Sequence, residues 1–156
     1  MAASGIPRLA DSTRIAMTDF SITVDIAAPP DRVWAVMADV ERWPEWTPTV
    51  TRIERLERGP LAAGSRARIR QPKLPTTIWE VTELREGRGF TWVTRSPGVL
   101  VTAKHSVEPV GQETRATLSV GFSGPLGWLV ARLTSGLNKR YLALEAQGLR
   151  ERSARP

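Results

Sequence analysis

Residues 22–46, ITVDIAAPPDRVWAVMADVERWPEW, change from a strand pattern into a helix pattern. Apolar and polar residues alternate from Phe20 to Ile26, which predicts a half-buried strand. A pair of prolines ends that strand, and Asp31 places an acid in the first turn of a helix. Apolar residues then recur at helical spacing until Trp43-Pro44. The stretch therefore predicts one strand followed by two short helices.

The chain from residue 51 to residue 122 carries strand patterns separated by turn residues. Gly59-Pro60, Ser96-Pro97-Gly98 and Gly111-Gln112 are typical of the turns. With the first strand, these patterns predict seven strands in an antiparallel meander. The six later strands are predicted at 51–58, 65–71, 76–84, 90–95, 100–109 and 114–122.

Ser123-Gly124-Pro125 precedes a long helical pattern. Its apolar residues recur at steps of three and four, which predicts one continuous helix of about 25 residues and ~37 Å. A curved sheet needs such a helix to cover its apolar face, and the space left between them is a natural small-molecule site. The predicted apolar stripe comprises Leu126, Leu129, Val130, Leu133, Leu137, Tyr141, Leu144, Gly148 and Leu149.

Length and composition predict a single soluble domain. The 156 residues are 41% apolar, include no cysteine, and contain no uninterrupted apolar run of the ~20 residues that a membrane span needs. The N-terminus lacks the pattern of a secretory signal, so we expect a cytoplasmic protein. Residues 1–17 are predicted to be a flexible tail, with Met1 or Met17 as the start. Residues 18–152 form the domain, and 153–156 a second tail.

The net charge of +6 is dispersed rather than clustered. Arginines alternate with acids, as in RIERLERG at 52–59, and no nucleic-acid-binding motif accompanies them, so we expect no nucleic-acid partner. No phosphate-binding loop, metal-ligand spacing or catalytic triad is present in the sequence, so no cofactor and no metal are expected. A monomer or a homodimer, without stable insertion into a membrane, is expected.

The order of these patterns resembles the polyketide cyclase/dehydrase branch of the START-like (SRPBCC) superfamily, over about residues 19–152. The residues that carry the resemblance are the opening stretch, WEVTEL (79–84), KHSVEP (104–109), and the closing GPLGWL and YLALEAQGLRE. The resemblance implies a helix-grip α+β fold, in which a seven-stranded curved antiparallel sheet wraps around the C-terminal helix. It also implies an apolar cavity for an aromatic, polyketide or lipid-like molecule.

Members of this superfamily include aromatase/cyclases and carriers of lipids or quinones, so the fold leaves several functions open. One is aldol-type cyclisation or dehydration of a poly-β-ketone. Another is non-catalytic carriage or sensing of a lipid or quinone. A third is a module whose aromatic surface binds a protein partner.

Strand alternation places His105, the only histidine, with the apolar residues Val101, Ala103 and Val107. His105 and Tyr141 are therefore candidate proton donors or acceptors. The alternatives are a buried histidine with a hydrogen-bond partner and a tyrosine whose hydroxyl reaches the surface. Trp34 is predicted to be core. The candidate ligand-binding residues are Trp43, Trp46, Trp79, Val81, Phe90, Trp92, Ala103, Leu118, Leu133, Leu137 and Asn138.

Alternating arginines at Arg66, Arg68 and Arg70 follow one face of their strand. A solvated outer face is the favoured interpretation, and a cationic rim that attracts an acidic ligand is the alternative. The segment 71–75, Gln-Pro-Lys-Leu-Pro, is predicted to be a loop at one end of the cavity.

Overall fold

The computed structural model describes residues 18–155, and the predicted tail at 1–17 lies outside them. Seven strands and three α-helices follow one another in the predicted order, with a short 3-10 helix, Val40–Glu45, after the first α-helix. The strands are β1 (Thr18–Ile26), β2 (Arg52–Arg55), β3 (Arg66–Arg70), β4 (Thr77–Arg85), β5 (Gly89–Ser96), β6 (Val99–Val110) and β7 (Glu113–Ser123). The helices are α1 (Pro30–Ala38), α2 (Gly127–Leu133) and α3 (Ser135–Ala154).

The strands form one antiparallel sheet in the order β1-β7-β6-β5-β4-β3-β2. The predicted seven-stranded sheet is thus confirmed, with β2 to β7 as a meander. The first strand lies beside the last, where Phe20 is paired with Val120 and Ile26 with Thr114. The two helical segments between β1 and β2 provide the crossover that this arrangement requires.

The C-terminal helix is interrupted at Thr134, so the prediction of one continuous helix is wrong. The Thr134 hydroxyl donates a hydrogen bond of 2.7 Å to the carbonyl oxygen of Val130, and the Asn138 amide donates one of 2.9 Å to the same hydroxyl. A threonine that bonds back to the carbonyl four residues earlier tends to bend a helix. The bend separates α2 from α3.

The buried residues of the two helices also differ from the predicted apolar stripe. In α2 the buried residues are small, Gly127 and Ala131, so this helix lies close to β7. A Cβ at Gly127 would lie 3.1 Å from the carbonyl carbon of Phe122. Leu129 and Leu133 consequently face away from the sheet and are exposed, and Leu126, just before the helix, is also exposed. In α3 the buried residues are Leu142, Ala146, Gly148, Leu149 and Ser153.

Helices α1 and α3 cover the apolar face of the sheet, where α3 packs against β1, β7 and α1. Trp34 is buried in α1 beside Val33 and Met37, as predicted for a core residue. On the opposite face of the sheet, Arg66 pairs with Glu57 and Arg68 pairs with Glu54, and all four side chains are at least partly exposed. This arrangement agrees with a solvated outer face.

Candidate functional site

A cluster of aromatic rings occupies one half of the space between the sheet and the helices. Trp43, from the 3-10 helix, lies with its ring centroid 5.3 Å from that of Trp92 on β5. The Trp92 ring lies 5.7 Å from the Trp79 ring on β4 and 5.2 Å from the Phe90 ring. Each of these four side chains is at most 9% exposed. We call these four rings and His105 the aromatic cluster.

His105 lies inside the aromatic cluster. Its imidazole stacks on the Phe90 ring with centroids 4.7 Å apart and an angle of 13°, and the Trp43 ring lies 5.1 Å away. The Nδ1 atom is buried and has no hydrogen-bond partner among the described residues. Burial lowers the pKa of His105 to about 3. The ring is therefore neutral near pH 7 and is a much weaker base than an exposed imidazole.

The two tryptophans beside Pro44 have different surroundings. The Trp43 indole donates a hydrogen bond of 3.0 Å to the carbonyl oxygen of Met37 and is 3% exposed, so it is a packed core residue. Trp46 is half-buried, and its Nε1 is buried without a partner among the described residues. Trp46 lies at a surface cleft of about 300 Å³ between the 3-10 helix and the C-terminal part of α3. The cleft is lined by Pro44, Glu45, Trp46, Thr47, Pro48, Gly148, Glu151, Arg152 and Arg155.

The other half of the apolar sheet face is accessible. Phe20, Val120 and Ala103 lie side by side on β1, β7 and β6, and Trp92 is the next residue in this row on β5. Trp92 is buried, whereas Phe20, Val120 and Ala103 are only half-buried, as is Val101 two residues before Ala103. We call these four half-buried residues the apolar groove. The aromatic cluster thus fills the interior around His105, whereas the sheet face around Ala103 is partly accessible to solvent.

Helix α2 borders the apolar groove, because it packs against β1, β6 and β7. The side chains that the sheet contributes to the groove are apolar, so this part of the site offers no ionisable group. Lys104 follows Ala103 on β6 but lies on the opposite face, and His105, two positions after Ala103, is the nearest titratable residue of this strand on the same face.

A polar network that the sequence did not reveal joins α3 to the segment before β2. The Thr49 hydroxyl donates a hydrogen bond of 2.9 Å to Oε1 of Glu145, and it lies 3.0 Å from the Thr47 hydroxyl. Both threonines are almost completely buried, and Glu145 is half-buried. Burial raises the pKa of Glu145 to about 7, against a smaller opposite effect of the Thr49 hydrogen bond.

Tyr141 lies one helical turn before Glu145 on α3. Its hydroxyl donates a hydrogen bond to the carbonyl oxygen of Pro72, in the loop between β3 and β4. Partial burial raises the pKa of Tyr141, the Arg140 charge lowers it by less, and the Glu145 carboxylate adds a smaller rise. The tyrosine therefore connects the helix to the loop at 71–75, which the sequence predicted at one end of the cavity.

The structure brings together most of the candidate site residues. His105 is stacked in the aromatic cluster, and Val81 and Leu118 are buried in the core beside it. Leu137 and Asn138 are half-buried at the start of α3. Leu133 is 76% exposed on α2, because Gly127 and Ala131 occupy the face of this helix that contacts the sheet. The predicted Leu133 contact with an enclosed ligand therefore has no counterpart in this conformation.

The described part of the chain, residues 18–155, contains no group of three or more histidine or acidic residues arranged to hold a metal ion. In the same residues no helix is both long enough and apolar enough to cross a bilayer. A second surface cleft, of about 290 Å³, lies on the arginine-bearing face of β2 and β3 and is lined by Arg52, Glu54, Arg68, Arg70 and Thr76.

Comparison with solved structures shows the same fold in several proteins. TTHA0849 from Thermus thermophilus has a TM-score of 0.71 and 20% identity, over 87% of this chain and 97% of that one. The ZhuI aromatase/cyclase from Streptomyces sp. R1128 has a TM-score of 0.67 and 21% identity, over 90% and 97% of the two chains. A START superfamily protein from Mycobacterium smegmatis has a TM-score of 0.67 and 21% identity, over 85% and 97%.

A comparison with curated protein sequences gave no match. The family described as "Polyketide cyclase / dehydrase and lipid transport" matches residues 17–154, which is nearly the whole chain. These findings confirm the helix-grip fold and the START-like resemblance predicted from the sequence. The protein belongs to the polyketide cyclase/dehydrase and lipid transport family.

Proposed function

We propose that this protein binds a hydrophobic small molecule in the apolar groove, between the sheet and helices α2 and α3. The observation that carries the proposal is the partial exposure of Phe20, Val101, Ala103 and Val120 on the face of the sheet that the helices cover. Covering apolar surface is favourable by roughly 25 cal/mol per Å². A ligand that removes these side chains from water therefore gains affinity without any change of fold.

The groove favours a ligand with a flat or ring-shaped apolar part. It ends at Trp92, whose ring belongs to the aromatic cluster, and aromatic rings contact one another favourably in offset or edge-to-face geometries. Ala103 supplies the smallest side chain in the row between Val120 and Trp92, which leaves room at the centre. An aromatic, polycyclic or isoprenoid-like molecule matches this shape.

Carriage or sensing of the ligand is the function that the groove supports best. The groove residues from the sheet carry no ionisable group, and reversible binding of an apolar molecule needs none. The family description includes lipid transport, which is compatible with this proposal. The protein would hold its ligand out of water and release it unchanged.

Cyclisation or dehydration of a poly-β-ketone is the second candidate function, and the position of His105 favours it. The imidazole lies two residues from Ala103 on β6, on the same face of the strand, and its buried Nδ1 has no hydrogen-bond partner among the described residues. In such a reaction the groove would fold the chain, while His105 and Tyr141 would transfer protons during enolisation and loss of water.

Extraction of the purified protein with organic solvent, followed by mass spectrometry, tests the first function. A carrier should release an apolar compound in near-stoichiometric amount, and the Ala103→Phe variant should release much less. Recovery of no apolar compound from the wild-type protein, together with no binding of added apolar dyes, would contradict the proposal.

Turnover of candidate poly-β-ketones by the wild-type protein, His105→Ala and Tyr141→Phe tests the second function. Loss of activity in the variants, with the fold retained, would support their proton-transfer roles. Unchanged rates in both variants would contradict those roles.

A further inference from the structure

Helix α2 presents an apolar surface to solvent. Leu126 is 48% exposed, Trp128 61%, Leu129 36% and Leu133 76%. We call these four residues the α2 patch. Single exposed apolar residues are common on protein surfaces, whereas a group of large apolar side chains exposed close together marks an interaction surface.

The α2 patch is held in a fixed orientation. Gly127 and Ala131 lie against β7 and allow close contact, so the large side chains of α2 point outward. The backbone N–H of Leu126 donates a hydrogen bond of 2.9 Å to the carbonyl oxygen of Gly98, at the tip of the β5–β6 hairpin. The side chain of Leu126 covers the same glycine, where a Cβ would lie 2.9 Å from the Leu126 Cδ1. The hairpin tip and α2 therefore form one rigid surface.

The charges around the α2 patch are almost all positive. The sequence from Thr114 to Leu144 contains no aspartate or glutamate, and neither does the hairpin from residue 88 to residue 107. On β1, Asp19 is paired with Gly121, close to the end of β7 that leads into α2. Alternation places the Asp19 side chain on the opposite face of the sheet from Phe20. The basic residues nearest to α2 are Arg95 beside the hairpin tip, Arg132 on α2 itself, and Lys139 and Arg140 near the start of α3.

A short helix with an exposed tryptophan and leucines, among cations and without acids, has the chemistry of a membrane-surface helix. Such helices bury their apolar side chains at the boundary between headgroups and acyl chains, while arginine and lysine contact anionic phosphates. Arg132, which is exposed between Trp128 and Leu133 on α2, is placed to make that contact.

We propose that the α2 patch docks this protein on the surface of an anionic lipid bilayer. Trp128 and Leu133 enter the interface, and Arg132 with the cations at the start of α3 contacts the lipid phosphates. Because α2 also borders the apolar groove, docking brings the mouth of the groove to the membrane, where an apolar ligand is taken up or delivered. Docking itself does not require a bound ligand, so it is separable from the proposed binding function.

Sedimentation of the full-length protein with lipid vesicles tests the proposal. We expect binding to vesicles of equal parts phosphatidylcholine and phosphatidylglycerol, weaker binding to phosphatidylcholine alone, and a decrease with added salt. The double variant Trp128→Ser/Leu133→Ser should weaken binding by at least about tenfold. Arg132→Glu should weaken binding to the anionic vesicles but not to the phosphatidylcholine vesicles.

Ile78→Ser is the matched control, because Ile78 is an exposed apolar residue on β4, 44% accessible, outside the α2 patch. This variant should bind vesicles like the wild type. The Ala103→Phe variant should also bind vesicles normally, even where it has lost its apolar ligand, so the two proposals fail independently.

Two results would overturn the proposal. One is that the wild type does not sediment with anionic vesicles, or that the Trp128→Ser/Leu133→Ser variant sediments with them as strongly as the wild type does. The other is a dimer, detected by light scattering, that disappears in the same variant, because a second copy of the chain would then occupy the α2 patch.

Discussion

Oε1 of Glu145 on α3 accepts a hydrogen bond of 2.9 Å from the hydroxyl of Thr49, which lies 96 residues earlier in the chain. The Thr49 hydroxyl also lies 3.0 Å from that of Thr47, and both threonines are at most 1% exposed. A buried polar link therefore fastens the C-terminal helix to the segment that leads into β2. Because the carboxyl group is buried beside neutral hydroxyls, burial raises its pKa to about 7.

Glu145 should make the protein less stable as the pH rises. From pH 4.5 to about 7 the folded state retains a proton that the unfolded state releases, so this contribution falls with rising pH. The Glu145→Gln variant keeps an acceptor for Thr49 and removes the titration. At about pH 8 we expect its free energy of unfolding to exceed that of the wild type by about 1–3 kcal/mol. Urea unfolding at a series of pH values on both sides of this window measures the difference.

Glu151→Gln is the control for that experiment, since Glu151 is an exposed residue on the same helix. Its free energy of unfolding at about pH 8 should stay within about 0.5 kcal/mol of that of the wild type. Equal pH dependence in the wild type and Glu145→Gln would show that the buried carboxyl group does not titrate as described.

His105 should have the opposite effect on acid stability. Its pKa is lowered from 6.5 to about 3, so the unfolded state binds a proton in this window and the folded state does not. Stability therefore falls as the pH falls from 6.5 toward 3, by up to about 1.4 kcal/mol per pH unit. The His105→Phe variant preserves an aromatic ring against Phe90 and should lose this acid sensitivity, as measured by urea unfolding.

The two titrations offset each other in the wild type between pH 4.5 and 6.5, where their slopes have opposite signs. In the Glu145→Gln variant, the free energy of unfolding should therefore fall as the pH falls, because only His105 of the pair still titrates. In the His105→Phe variant it should fall as the pH rises, because only Glu145 of the pair still titrates. A His105→Phe variant that remains as acid-sensitive as Glu145→Gln would contradict the assignment to His105.

Gly148 should be required for the contact between α3 and Trp46. A Cβ at position 148 would lie 2.0 Å from the backbone oxygen of Trp46, which cannot move aside as a flexible side chain does. Gly148→Ala should therefore lower the free energy of unfolding by about 1–3 kcal/mol or more. Thermal or urea unfolding measures the change.

Gly136→Ala is the matched control on the same helix, because among the described residues a Cβ at that position would meet no atom within 4 Å beyond its chain neighbours and the backbone of its own helix. Alanine is favoured over glycine in a helix by about 1 kcal/mol, so this variant should be slightly more stable than the wild type. Equal effects of the two substitutions would contradict the close packing of Trp46 on α3.

The sequence predicted those features that depend on local periodicity. Alternation placed His105 on the apolar face of its strand, and helical spacing placed Trp34 in the core, as the structure confirms. The strand count followed from turn residues such as Ser96-Pro97-Gly98, which join β5 to β6. These patterns are strong because one face of each element is buried and the other is not.

The features that the sequence did not predict depend on contacts between distant segments or on a single side chain. The Thr49–Glu145 bond joins two distant segments, and only the position of Glu145 one turn after Tyr141 hinted that it faces the interior. The bend at Thr134 results from one hydroxyl that bonds the Val130 carbonyl. An apolar stripe through the bend therefore appeared continuous, although Leu133 faces solvent.

Binding of a neutral apolar dye such as Nile red tests the apolar groove most directly. Ala103→Phe fills the groove, whereas Ala143→Phe adds the same ring to an exposed site on α3. Both are compared in the Trp128→Ser/Leu133→Ser background, so that the α2 patch does not bind the dye. We expect Ala143→Phe to bind like its parent and Ala103→Phe to bind at least about tenfold more weakly. Equal Kd values for the two variants would contradict ligand binding in the apolar groove.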